Sequence, residues 1–178
     1  MRHVVCRQND KSGAGQLMKA FNIVLFEPEI PQNTGTIGRL AVSTSSKLHL
    51  IKPLGFSLED KFLKRAGLDY WEYLAPSIHE SWESFLAAEK PERMFFISTH
   101  GKRDFFDAEY CPGDYLVFGR ESAGLPEEMH QRYPEQFYRI PMPGEFNRSL
   151  NLANAASIVL YEALRQNRTE WQDNIIEN

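Results

Sequence analysis

Three segments of the chain carry polar residues at spacings that suit a charged ligand. In residues 28–40, Asn33 and Arg39 stand at the start of a predicted helix that follows a short apolar run. In that position they would face a phosphate or a reacting hydroxyl. The alternative interpretation is an ordinary helix with Asn33 as its N-cap and Arg39 on the surface, because asparagine is a favoured cap. The residue pattern leaves both interpretations open.

The second segment, residues 115–126, ends a buried apolar run in a glycine-bounded turn. Gly119 and Gly124 bracket the charged pair Arg120 and Glu121. Glycine lets a backbone turn sharply and approach a ligand closely. An ordinary strand-to-helix turn is the alternative, but charged residues between the two glycines favour a binding loop.

The third segment, residues 139–156, runs from a Pro-Gly loop into the last predicted helix, with Ser149 as its predicted N-cap. Apolar residues recur there at helical spacing and predict a stripe that faces the core. A second flank either faces solvent or lets another helix approach closely, and the pattern leaves both open. The stripe comprises Leu152, Ala155, Ala156, Val159, Leu160, Ala163 and Leu164, and the flank comprises Asn154, Ser157, Ile158, Tyr161 and Arg165.

Short apolar runs alternate with helical stretches along the chain. Runs this short suit strands that are buried on both faces, so the alternation predicts an α/β fold with a mostly parallel sheet and flanking helices. Ligands of such sheets bind beyond the carboxyl ends of the strands, which is where all three segments lie. The predicted strands are 21–26, 48–51, 94–97, 115–118 and 137–140, and the predicted helices are 34–45, 59–66, 81–89, 127–132 and one after residue 149.

Length and composition favour one globular domain. The chain has 178 residues, of which 42% are hydrophobic and 25% are charged. Apolar runs all fall short of the roughly 20 residues of a membrane span. We expect a flexible N-terminal extension over residues 1–20, one domain over residues 21–166 and a polar tail over residues 167–178.

Charge, cysteine and histidine usage narrow the classes of function. The net charge of −4 argues against non-specific nucleic-acid binding, so any RNA contact must come from local basic clusters. Cys6 and Cys111 lie far apart and form no disulfide framework, which suits a reducing cytoplasm. The five histidines are scattered without metal-ligand spacing and predict no metal site. Walker-type nucleotide loops and nucleophile elbows are absent from the sequence.

The three segments together resemble the SPOUT class of RNA ribose methyltransferases, in its SpoU branch. Asn33 and Arg39 match the first motif of that family, residues 119–126 match its G-x-E-x-x-G-L-P motif, and residues 148–156 match its S-L-N-L-A-N-A motif. Each motif alone is weakly specific. All three in this order, within a similarity that runs over residues 21–166, are strongly specific.

The resemblance implies a fold, an activity and a cofactor. It implies a SPOUT-like sheet with a C-terminal trefoil knot, a homodimer through the last helix and S-adenosylmethionine as methyl donor. Residues 23–35, 64–70 and 139–142 resemble the TrmL-like subgroup most. This subgroup consists of minimal enzymes that methylate the ribose 2′-hydroxyl of cytidine or uridine at the tRNA wobble position 34. The implied partner is therefore the anticodon stem-loop of tRNA. Two alternatives stay open: a SpoU-type enzyme for ribosomal RNA or another tRNA position, and a non-catalytic module that binds RNA or cofactor.

The resemblance also implies roles for single residues. Arg39 matches the catalytic arginine, and because arginine stays protonated we expect it to clamp a phosphate and the developing oxyanion. We expect a side chain at Gly119 to fill the space of the adenosine while leaving the fold intact. The residues implied to bind the cofactor are Ile97, Ser98, Gly119, Glu121, Ile140, Ser149 and Leu150. The residues implied to contact RNA are Asn33, Arg39, Arg120, Arg148 and Tyr161, with residues 61–65 either a further basic contact or a solvated helix face.

Overall fold

The computed structural model describes residues 20–57, 74–145 and 149–168. Several predictions fall outside these residues: the extension before residue 20, the helix at 59–66 with its basic cluster, Arg148, and the tail after residue 168.

The described residues form a core of one parallel sheet with seven strands. The order is β3-β2-β1-β6-β4-β7-β5, and every described pairing is parallel, which confirms the predicted α/β class. Two strands, β3 and β5, were not predicted, because three and two residues are too few to show a pattern. The trefoil knot stays a prediction. The strands are β1 (Asn22–Phe26), β2 (Lys47–Ile51), β3 (Ser77–His79), β4 (Met94–Ile97), β5 (Arg103–Asp104), β6 (Tyr115–Phe118) and β7 (Phe137–Arg139).

Helices cover both faces of the sheet, as predicted. Strand β1 is buried along its whole length. Its Ile23 and Leu25 join a core cluster with α1 and α4, whereas Val24 and Phe26 join a second cluster with α2 and α3. In the described part of the chain, helices fall short of the length and apolar character that crossing a membrane needs. The described helices are α1 (Pro31–Ser43), α2 (Trp82–Glu89), α3 (Glu127–Arg132) and α4 (Leu152–Gln166), with a 3₁₀ turn at Phe105–Asp107.

Helix α1 begins three residues before its predicted start. Ile30 is the N-cap residue and makes no side-chain cap bond, and Pro31 occupies the first helical turn. Proline suits this position because its φ is already helical and it has no N–H to satisfy. The prediction of Asn33 as N-cap is therefore wrong, and Asn33 lies inside the first turn.

Helix α4 begins at Leu152, and its N-cap is Asn151 rather than the predicted Ser149. The Asn151 Oδ1 accepts hydrogen bonds from the backbone N–H groups of Ala153, at 2.9 Å, and Asn154, at 3.3 Å. Asparagine and serine are both favoured caps, so residue type alone does not choose between positions two apart.

The other two described helices agree with their predictions. Helix α3 spans the predicted residues, and α2 begins immediately after Ser81. The Ser81 hydroxyl accepts from the Ser84 N–H, and the Ser84 hydroxyl accepts from the Ser81 N–H. This reciprocal capping box explains where α2 starts.

The apolar stripe of α4 packs on the core, as predicted. Ala156, Val159, Leu160 and Ala163 are fully buried. The second flank is open, with Ile158 and Tyr161 exposed. Within this chain α4 thus presents a surface that contains two large apolar side chains.

Cys111 is buried and disulfide-bonded. The expectation of no disulfide is therefore wrong for Cys111. Cys6, the other cysteine of the chain, lies outside the described residues.

Candidate active site

The carboxyl ends of neighbouring strands bring the predicted binding loops together. Strands β1, β6, β4 and β7 are consecutive in the sheet. Ile97 aligns with Phe118 of β6 and with Tyr138 of β7. Ser98 and Gly119 follow these positions and are consequently side by side. They lie at the carboxyl ends of the strands, where parallel α/β folds bind ligands.

A chain of side-chain hydrogen bonds joins all three motif segments. Asn33 donates from Nδ2 to the Glu121 carboxylate at 3.0 Å, and its Oδ1 accepts from Asn151 Nδ2 at 2.9 Å. The same carboxylate accepts from the backbone N–H groups of Glu29, at 2.8 Å, and Ile30, at 3.2 Å. Asn33 is only 7% exposed, so both ends of its amide are committed to partners within the protein.

Two further contacts join the start of the first segment to the second segment, and in both a glutamate lies near the end of β1 and its partner lies after β6. The Glu29 carboxylate accepts from the Ser122 N–H at 2.8 Å and from the Ser122 hydroxyl at 2.7 Å, and these hydrogen bonds lower the pKa of Glu29. Arg120 forms an ion pair with Glu27, and its guanidinium lies 5.9 Å from the centre of the Phe26 ring. Arg120, implied to contact RNA, thus has an intramolecular partner as well.

Three residues in these contacts were not identified from the sequence. Glu27 and Glu29 flank Pro28, the first residue of the first segment, and each has its partner 93 positions later. Asn151 stands directly before the apolar periodicity of α4, and that position is a usable N-cap signal. No local signal exists for the two glutamates, because their role depends on the parallel pairing of β1 with β6.

Gly119 lies where two stretches of backbone nearly touch. A Cβ built there would lie 2.2 Å from the carbonyl carbon of Gly124 and 2.4 Å from the nitrogen of Leu125. Arg120 and Gly124 close the loop through a bridge, and Gly124 has a φ of +68°. The space beside Gly119 is therefore taken by its own loop, and the expectation that a side chain there would leave the fold intact is wrong.

We expect Gly119→Val to open this loop. The free energy of unfolding should fall by about 1–3 kcal/mol, the usual range for overpacking, and cofactor affinity should fall with it. Gly144→Val is the matched control for stability alone, because a Cβ at Gly144 meets nothing within 4 Å. Thermal unfolding and calorimetric titration with S-adenosylmethionine measure the two effects. Unchanged stability of Gly119→Val would contradict the close packing of Gly119 against the backbone of Gly124 and Leu125.

Apolar side chains line the surface of the same loops. Ile97 and Ile140 are half-buried, with one side packed on the core, and Leu150 is exposed. The Ser98 N–H donates to the carbonyl of Tyr138 at 2.9 Å and so ties the loop after β4 to β7. Ser149 is exposed next to Leu150. Half-exposed aliphatic side chains beside backbone donors and acceptors suit the faces and edges of an adenine ring.

The implied RNA-contact residues differ in exposure. Arg39 is exposed on α1, and Tyr161 is exposed on α4. Asn33 is buried, and Arg120 is half-exposed beside Glu27. Arg148 lies outside the described residues. Among the described members of this set, Arg39 and Tyr161 are thus the two exposed residues.

Comparison with known proteins identifies the family. The model of the SpoU rRNA Methylase family matches residues 20–161. The chain belongs to the SpoU methylase family. The resemblance carried by the three motifs is confirmed.

Most of this chain is similar to a protein of known name and to two solved structures. A tRNA (cytidine(34)-2′-O)-methyltransferase of Methylovorus glucosotrophus strain SIP3-4 is 54% identical over 147 residues, which are 82% of this chain and 95% of the relative. A solved structure described as giving insights into the 2-OH methylation of C/U34 on tRNA has a TM-score of 0.79 at 45% identity, covering 85% of this chain and 98% of that one. The SpoU methyltransferase AviRb of Streptomyces viridochromogenes in complex with AdoMet has a TM-score of 0.72 at 28% identity, covering 86% of this chain and 63% of its own.

Proposed function

We propose that this protein transfers a methyl group from S-adenosylmethionine to the ribose 2′-hydroxyl of nucleotide 34 in tRNA. The observation that carries the proposal is the Glu121–Asn33–Asn151 hydrogen-bond chain, which joins three SpoU motifs at one end of the sheet. Similarity over nearly the whole length of relatives named for this reaction supports the choice of substrate. The cytoplasm is the proposed compartment, because the reaction needs tRNA.

The loops after β4, β6 and β7 are the proposed cofactor site. Ile97, Ile140 and Leu150 would pack against the adenosine, and the backbone around Ser98 and Gly119 would meet its polar edges. S-adenosylmethionine supplies an electrophilic methyl group on a sulfonium sulfur. The protein contributes a fixed, partly apolar cradle that sets the direction from which the ribose oxygen arrives.

Arg39 is the proposed catalytic residue. In the transfer, the 2′-oxygen forms a bond to the methyl carbon as the carbon–sulfur bond breaks, and the hydroxyl proton leaves to a phosphate or to water. Arginine stays protonated in proteins, so its guanidinium stabilises the negative charge that develops on the oxygen rather than removing the proton. Its planar fork can also grip a neighbouring phosphate through two hydrogen bonds.

Asn33 and Glu121 are proposed as positioning residues. Both side chains use their polar atoms on partners within the protein, and together they hold the start of α1 against the loop after β6. Arg39 lies further along α1, so the hydrogen bonds of Asn33 and Glu121 set its distance from the cofactor loops. Direct RNA contact is therefore assigned to exposed groups, with Arg39 and Tyr161 the best placed of the described residues.

The open flank of α4 is proposed to form the interface of a homodimer. Self-complementary contact across a two-fold axis is the commonest arrangement of soluble homo-oligomers. Burying the exposed side chains of Ile158 and Tyr161, with Asn154 and Ser157 beside them, would remove apolar surface from water. A dimer would also present two copies of every basic patch to one tRNA.

We expect sedimentation to give twice 20.6 kDa at micromolar concentration, and Ile158→Arg to give monomers. Ile78→Arg is the matched control, because Ile78 is 39% exposed on edge strand β3 whereas Ile158 is 40% exposed on α4. A wild-type protein that sediments as an active monomer would contradict the proposed interface. So would an Ile158→Arg variant that remains a dimer.

The activity is tested by incubating the protein with methyl-labelled S-adenosylmethionine and either total tRNA or ribosomal RNA. Nuclease digestion and mass spectrometry then locate the 2′-O-methyl group. We expect label in tRNA at nucleotide 34. Label in ribosomal RNA or at another tRNA nucleotide would favour a SpoU-type methyltransferase with a different RNA target. Absence of label from both RNAs would favour a non-catalytic binding module.

A further inference from the structure

Two histidines and a glutamate that are far apart in the sequence meet inside the fold. His49 lies in the middle of β2, His79 ends β3 and Glu89 ends α2. His49 is 1% exposed, His79 is buried, and Glu89 is half-buried at 24%. Ionisable side chains are rarely buried together without a partner that compensates for their desolvation.

The three side chains offer ligand atoms at the spacing of a metal site. His49 Nδ1 lies 3.2 Å from His79 Nε2 and 3.8 Å from Glu89 Oε1, and the last two atoms lie 4.0 Å apart. A point equidistant from all three lies about 2.1 Å from each, which is the distance at which Zn²⁺ binds imidazole nitrogen and carboxylate oxygen. Two histidines and one glutamate are also an established zinc donor set, with a fourth position left for water.

The surroundings of the three side chains favour metal binding further. A metal-binding imidazole commonly donates its other ring N–H to an oxygen acceptor, which fixes the ring in place. His49 Nε2 lies 3.3 Å from Asn22 Oδ1. Donation of its N–H to that oxygen leaves the Nδ1 lone pair directed at the cluster. Tyr115 donates to the second oxygen of Glu89 at 3.5 Å, as outer-shell partners of metal ligands commonly do.

We propose that His49, His79 and Glu89 bind one zinc-class divalent ion that ties β2, β3 and α2 together. The site lies on the face covered by α2, beside Asn22 and Tyr115, the first residues of β1 and β6. The motif loops follow the opposite ends of those two strands. His79 is level with the last residue of β1 but is separated from β1 by β2. The ion is therefore assigned a role in holding β2, β3 and α2 together and no part in methyl transfer. The prediction of no metal site rested on sequence spacing, which β2–β3 pairing overrides here.

The test is binding of Zn²⁺ to the full-length protein after removal of metal with a chelator. We expect one equivalent per chain by calorimetry and elemental analysis. Zinc at a hundredfold excess over its Kd should raise the Tm by roughly 5 °C. Co²⁺ in its place should give the intense visible absorption of a tetrahedral site.

Two variants and one control make the result specific. Glu89→Gln keeps the size of the side chain, so it should fold normally while losing about 10-fold or more in zinc affinity; His79→Asn should lose more. Glu92→Gln changes an exposed glutamate on the same stretch of chain and should bind zinc like the wild type. Binding at less than one equivalent, or affinity unchanged in Glu89→Gln, would overturn the proposal even if His79→Asn failed to fold.

Discussion

Replacing Arg39 with alanine should lower single-turnover methylation of saturating tRNA about 100-fold or more. That is the scale of removing one donor that stabilises developing negative charge. Cofactor affinity should stay within a few-fold of the wild-type value, because Arg39 lies on α1 and not on the loops after β4, β6 or β7. Rapid-mixing kinetics and calorimetric titration on the same preparations separate the two quantities.

Arg39→Lys is the informative companion to that variant. Lysine keeps the positive charge but loses the planar fork that binds a phosphate in two places, so much of the turnover should still be lost. Lys47→Ala removes an exposed cation from β2 and serves as the control for a general loss of charge. Normal turnover by Arg39→Ala, or a defect confined to cofactor affinity, would contradict the assigned role.

Glu121→Ala should damage both stability and turnover. The carboxylate accepts from two backbone N–H groups and from Asn33, so its removal leaves three donors unpaired near the start of α1. We expect a loss of about 2–4 kcal/mol in the free energy of unfolding, given the usual strength of hydrogen bonds to charged groups. Turnover should fall about 100-fold, because a small displacement of a catalytic group is enough for such a loss.

The variant Glu121→Gln distinguishes a positioning role from a purely structural one. Glutamine keeps the size of the side chain and one acceptor oxygen, but its NH2 group would face at least one of the three donors. Stability should therefore recover only in part, while the turnover number stays lower than that of the wild type. Glu135→Ala is the control, because it removes an exposed carboxylate that follows α3. If Glu121→Gln lost cofactor binding and kept a normal turnover number, Glu121 would be a cofactor ligand, as the family resemblance first implied.

The fold class and most elements were predictable from local pattern. Strands such as residues 115–118 are short apolar runs, and their alternation with amphipathic helices leaves a parallel sheet as the arrangement that buries them. The burial of the apolar stripe of α4 was predicted correctly, because helical periodicity is a property of the local sequence alone. The three motif segments lie together at the carboxyl ends of the strands, as predicted, because parallel strands of one sheet all end on the same side.

The incorrect or missing predictions concern the exact helix caps and the contacts between distant parts of the chain. Cap positions at Asn33 and Ser149 were wrong by a few residues, because several residues near each helix start can cap equally well. The pairing of Glu29 with Ser122 and the meeting of His49 with His79 depend on which strands are neighbours. Strand order is a property of the whole sheet, and no single segment encodes it.

The most direct test of the proposed reaction uses two tRNAs that each lack one ribose 2′-oxygen, at different nucleotides. One carries 2′-deoxyribose at nucleotide 34 and the other at the adjacent nucleotide 33, with all other ribose hydroxyls intact. With methyl-labelled S-adenosylmethionine, the tRNA modified at 33 should accept one methyl group per molecule, and the tRNA modified at 34 should accept none. Equal labelling of both tRNAs would contradict methylation of the ribose at nucleotide 34.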